Sequence, residues 1–118
     1  MAGELHNMVP ARFDHELVIG DTYRVELVLE DEDTGAAIDL SAVTAGTVKL
    51  RTEPGGVVLL TPSVSLTDKA IGKIVWSSPH TTTDDLQPGT AVYALQLVSD
   101  TYTTVVEGRV VIRRAAVV

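Results

Sequence analysis

Cysteine is absent from the 118 residues. The fold therefore owes nothing to disulfides, and a thiolate nucleophile or thiolate metal site is excluded. Aromatic residues are scarce: Phe13, Tyr23, Trp76, Tyr93 and Tyr102 are the whole set, 4% of the chain. The core must then be built from Val, Leu and Ile, whose β-branched members favour strands. The same scarcity leaves few side chains for a sugar-stacking platform. Basic residues are outnumbered, 9 Lys and Arg against 16 Asp and Glu, for a net charge of −7. That balance opposes a nucleic-acid partner, whose affinity comes mainly from cations on phosphates. The one basic cluster, Arg109, Arg113 and Arg114, is too small to reverse it.

Long apolar runs are missing as well. No segment approaches the roughly 20 residues that span a bilayer. The opening stretch MAGELHNMVPARFDHELV carries charges throughout and lacks the apolar centre of a signal peptide. The expectation is a soluble chain made in a cytoplasm, with no membrane partner. At 45% hydrophobic and 21% charged residues, the composition is that of a globular domain rather than a disordered segment.

What is present is period two. Residues 1–11 lack periodicity and read as an N-terminal arm, residues 12–114 as one domain, and 115–118 as a short C-terminal tail. Phe13–Ile19 reads as a first strand closed by Gly20-Asp21. In TYRVELVLE (22–30), Tyr23, Val25, Leu27 and Leu29 share one face and Arg24, Glu26 and Glu30 the other. In Val43–Arg51, Val48 and Leu50 point inward and Lys49 and Arg51 outward. Glu53-Pro54-Gly55-Gly56 is a strong turn. Residues 57–60 and 63–66 are short strands, and Pro62 between them suits a sheet edge. Ile74 and Trp76 share a face in 72–77, as do Tyr93, Leu95 and Leu97 in 90–98. In 103–113, Val106, Val110 and Ile112 alternate against Val105, Glu107, Arg109 and Arg113. No helical period competes. The pattern predicts an all-β fold, an immunoglobulin-like antiparallel β-sandwich of seven or eight strands.

Reactive constellations are weak. His6, His15 and His80 fall in the arm, the first strand and a Thr-rich loop, and no G-x-S-x-G elbow accompanies them. Asp84-Asp85 lies near His80, but adjacent residues point different ways, so a turn cap explains the pair better than acid–base work. Glu30, Asp31, Glu32 and Asp33 lack the spacing of a calcium loop and read as a solvated hairpin tip. No G-x-x-x-x-G-K-[ST] phosphate loop is present. Trp76, in phase with Ile74, reads as a core side chain. No catalytic, cofactor-binding or metal-ligating residue is assigned, and the chain is expected not to be an enzyme.

Leu86-Gln87-Pro88-Gly89-Thr90 followed by Tyr93 resembles the L-x-P-G-T-x-Y corner of fibronectin type III domains. One extra residue before Tyr93 reverses its face, and Trp76 comes too late for that family's early tryptophan. A wider resemblance covers residues 16–113. GDTYRVELVLED, GAAIDLSAVTAGTVKLR, SLTDKAIGKIVWS, TTTDDLQPGTAVYALQLV and VVEGRVVIRRAAV occur in the order seen in small virion-associated proteins of tailed bacteriophages and in immunoglobulin-like N-terminal domains of baseplate proteins. Ala94 departs from the group, in which Asp often follows the tyrosine.

The resemblance implies a non-catalytic structural protein of the virion, in multiple copies, at the tail or baseplate. Its partners would be other phage structural proteins, met through the arm and tail. A capsid decoration protein is the alternative. A receptor- or glycan-binding module, reading its ligand through loops 31–38, 53–56 or 78–85, is another. The sequence's own emphasis is that 84–97 serves packing, with partner surfaces elsewhere.

Overall fold

The computed structural model describes residues 11–31 and 33–115. Most of the expected arm, Glu32 at the hairpin tip and the last three residues of the tail lie outside them. Among the described residues the chain forms nine strands: β1 Ala11–Arg12, β2 His15–Val18, β3 Tyr23–Val28, β4 Ala45–Arg51, β5 Val58–Leu60, β6 Ser63–Ser65, β7 Lys73–Ser78, β8 Gly89–Val98 and β9 Tyr102–Arg113. The larger sheet has the order β1-β9-β8-β4-β5, with β2 following β1 along the same edge of β9. The smaller sheet has the order β3-β7-β6. The two sheets enclose one apolar core, and the β-sandwich predicted from the alternation is the fold.

The inward sets land where period two puts them. Tyr23, Val25, Val48, Leu50, Ile74, Trp76, Tyr93, Leu95, Leu97, Val106, Val110 and Ile112 are all buried. Leu27 packs at the margin of the same cluster. Pro62 sits where the chain leaves β5, at the edge of the larger sheet, for β6, at the edge of the smaller one. A residue without an N–H fits there because no ladder needs its hydrogen.

Three local features differ from the sequence reading. First, the sheet is not wholly antiparallel: β1 and β2 run parallel to β9, with Ala11 opposite Val106 and Leu17 opposite Ile112. Alternation tells which face a residue takes but not which way its strand runs. Because β3 lies in the other sheet, no hairpin dictates the direction of β2. Ala11, expected in the arm, is thereby a ladder residue.

Second, Val105 is buried rather than outward. The β8–β9 register steps from Leu95↔Val106 to Gln96↔Thr104. Val105 is the extra residue of this β-bulge, and the bulge resets the phase so that adjacent valines both face the core. Third, the Thr-rich loop contains one helical turn, α1 His80–Thr83. Four residues are too few to display a 3.6-residue period.

Between β1 and β2 the chain kinks at Phe13-Asp14, and two long-range contacts hold the kink. The Asp14 carboxylate accepts the Arg109 N–H at 2.9 Å, and the Tyr93 hydroxyl donates to the Phe13 carbonyl at 2.5 Å. Tyr93 pairs with Gly108 across the β8–β9 ladder, so its ring must pass over Gly108 to reach Phe13. A Cβ at Gly108 would collide with the Phe13 carbonyl and the Asp14 carboxylate. Glycine is needed here for close approach rather than for a special φ.

Candidate functional site

Polar side chains gather in two places, one inside the sandwich and one on its outer surface. The inner group is aromatic. The Trp76 indole N–H donates to the Tyr23 hydroxyl oxygen at 3.0 Å, and Tyr23 Oη lies 2.6 Å from His15 Nε2. Indole can only donate, so Tyr23 accepts from Trp76 and its own proton is free for His15. The neutral imidazole with its hydrogen on Nδ1 completes this chain of donors. That Nδ1 is buried without a well-formed hydrogen bond among the described residues.

The His15 ring stacks between Phe13, at 4.8 Å, and Tyr23, at 5.7 Å, and meets Tyr93 edge-on at 5.0 Å. Burial pushes the His15 pKa down, ahead of the opposing pulls of the Phe13 backbone and the Asp14 charge. Burial likewise pushes the Tyr23 hydroxyl up to about 12, against the Trp76 hydrogen bond, and raises Tyr93 further. All three groups are thus held uncharged at neutral pH. Trp76 is fully buried and Tyr23 and Tyr93 are 4% exposed, while Phe13 and His15 are half-buried at the cluster's rim. The cluster is a polar seam through the core, hydrogen-bonded from Trp76 through Tyr23 to His15 and open at His15 Nδ1.

The other sequence candidates stay apart. The His80 ring makes no hydrogen bond or ion pair with Asp84 or Asp85 among the described contacts; the backbone N–H of Asp84 instead caps α1 by donating to the His80 carbonyl at 3.0 Å. Thr83, fully buried, donates its hydroxyl to the Asp21 carbonyl at 2.7 Å and accepts the Gly20 N–H at 3.2 Å. That clamp fixes the Gly20-Asp21 turn against α1. In the hairpin tip, one Asp31 oxygen accepts the N–H groups of Asp33 and Thr34 at 2.9 and 3.1 Å, so this carboxylate serves the turn. No three His, Asp or Glu side chains among the described residues come together as a metal-binding group.

The outer group was not assembled by the sequence reading. On the solvent face of the larger sheet, a concavity of about 560 Å³ opens over β4, β8 and β9. Its floor is the outward register of three neighbouring strands: Thr47 and Lys49 on β4, Val92, Ala94 and Gln96 on β8, and Thr104, Glu107 and Arg109 on β9. Arg12 on β1 and the Arg51–Pro54–Gly55 corner after β4 close its sides. Of the loops considered for ligand contact, only 53–56 reaches it. The outward side of 84–97, expected to serve packing alone, forms its centre.

Four of the chain's nine Lys and Arg residues line this face, with one of its sixteen carboxylates, Glu107. Arg12 pairs with Asp14 at 3.2 Å, and Arg51 donates to the Gly56 carbonyl at 2.8 Å. Lys49 and Arg109 have no hydrogen-bond or ion-pair partner for their side chains among the described residues. The expected basic cluster is meanwhile divided: Arg113 pairs with Glu16 at 2.9 Å on the β2 edge, while Arg109 joins the concavity. The signal was legible in part, since Lys49 and Arg51 read as outward. Bringing them to Arg12 and Arg109 took the strand order. No family model matches the chain, and no curated protein matches it.

Proposed function

We propose that the chain is a non-catalytic structural protein of a tailed-bacteriophage virion, associated with the tail or baseplate and present in multiple copies. The observation that carries this reading is the order of the five motifs, which resembles that of small virion proteins and baseplate domains. They coincide with consecutive structural units: the Gly20 turn with β3, then β4, the 69–71 turn with β7, α1 with β8, and β9. Motifs that each centre on one strand are what a common sandwich core would preserve. The polar, outward-facing concavity adds support, because it suits a protein contact better than chemistry on a substrate: no nucleophile–base pair lines it. A place on the capsid surface is the second form of the same role.

The test is a tagged copy supplied in trans during growth of the phage that encodes the chain. The tagged protein should band with intact particles in a density gradient, and gold label should mark the tail. Label on the head would move the role to capsid decoration. A chain that stays with the soluble host fraction would overturn the reading.

A further inference from the structure

The cationic concavity faces outward on a protein whose remaining surface is strongly acidic, and this segregation points to what fills it. With four of nine cations on the face, beside Glu107 and the Arg12-paired Asp14, the rest of the molecule carries fourteen carboxylates against five cations. A complementary surface exists on the same chain. At the end where the β2–β3 turn meets α1, Asp21, Asp84 and Asp85 are all exposed, and none has an ion-pair partner among the described residues. The Thr83 clamp fixes this end, binding both Gly20 and Asp21 across 62–63 residues of sequence. Asp84 packs close by, its Oδ1 3.1 Å from where a Gly20 Cβ would stand.

We propose that the concavity receives the Asp21–Asp84–Asp85 end of a second copy of this chain. Lys49 and Arg109, whose side chains have no hydrogen-bond or ion-pair partner among the described residues, would supply the carboxylate contacts. The Thr83 clamp holds the backbone of the acidic end in place, which reduces the ordering cost on that side of the contact. Long-range repulsion between acidic copies does not forbid it. At about 0.1 M salt the screening length is about 10 Å, so the facing charges decide the energy.

The acidic end and the cationic face are different surfaces. A one-way contact leaves each copy a free face and a free end, from which a ring or a filament grows, whereas a reciprocal exchange of ends closes a two-fold dimer. This inference rests on the charge pattern and not on a place in a virion. Self-association and particle location can therefore fail independently.

Sedimentation velocity of the full chain tests it. At about 0.1 M salt the weight-average mass should rise with concentration, and at about 1 M salt it should fall to the monomer. The Lys49→Glu/Arg109→Glu double variant and the Asp84→Lys/Asp85→Lys double variant should each be monomeric alone, with unchanged far-UV circular dichroism. Mixed together they should associate again, because the unaltered end of the first meets the unaltered face of the second, and the reversed face and reversed end are also complementary. A monomeric wild type at about 0.1 M salt would overturn the proposal. So would assembly that survives the face substitutions, or a mixture that fails to recover it.

Discussion

The two faces of β8 come from alternate residues of one ten-residue strand, and they obey opposite rules. Ala91, Tyr93, Leu95 and Leu97 point into the core and are at most 4% exposed. Val92, Ala94 and Gln96 point outward into the concavity with β4 and β9. The inner face is crowded and answers to packing, where a lost methylene leaves a void. The outer face lies among the exposed charges of β4 and β9, and charges held in water contribute little to stability whichever way they point. A surface free of folding duty can be spent on recognition, so substitutions on the two faces should separate stability from association.

The largest effect belongs to the inner face. Trp76 is fully buried against Tyr93, at a centroid distance of 5.9 Å, and bonded to Tyr23. Trp76→Ala should cost about 3–5 kcal/mol and lower the thermal midpoint by about 10 °C or more. The loss joins an unfilled cavity to a Tyr23 hydroxyl deprived of its donor. Chemical denaturation checks it. A cost near 1 kcal/mol would mean that the two sheets close over the gap and that the core is less rigid than its packing implies.

The same division explains what the sequence made legible. Period two marks inside from outside, so the inward residues of β3, β4, β7 and β8 could be read directly. Val105 could not, because a bulge shifts phase without leaving a residue-type signature. The parallel course of β1 and β2 was hidden for a different reason: strand direction depends on which sheet the next strand joins. The concavity was hidden more deeply still. Arg12 and Arg109 are 97 residues apart in sequence, and only the order β1-β9-β8-β4 brings them to one face with Lys49 and Arg51. The basic triplet near the C-terminus was visible as a cluster, yet the pairing of Arg113 with Glu16 removes it from the face.

A second, smaller effect tests the polar seam. Burial lowers the His15 pKa from 6.5, so below about pH 6.5 the unfolded chain binds more protons at this residue than the folded one. Linkage then makes stability rise with pH across that window. The contribution is complete above the unfolded pKa and is lost as pH falls from there toward the lowered folded value. Asp14, Glu26 and Asp39 also have lowered pKa values. Their contributions too are lost on acidification, but below the ordinary carboxylate range. The thermal midpoint should therefore fall between pH 7.5 and 5.5, and His15→Gln should flatten that slope. An unchanged slope in the variant would assign the response to other groups.

The smallest effect is the most informative about the outer face. Lys49 and Arg109 are exposed and have no side-chain partner among the described residues, so truncating them strands no buried acceptor. Lys49→Ala and Arg109→Ala should each change stability by no more than about 0.5 kcal/mol. Arg51 is a poorer probe, because its guanidinium holds the Gly56 carbonyl and its loss would loosen the 53–56 turn. Equilibrium denaturation of the two alanine variants decides the matter. A loss above about 1 kcal/mol in either would mean that the face contributes to the fold through contacts of the long aliphatic stems. The charges gathered there would then have a structural reason, and the case for a surface reserved for a partner would weaken in proportion.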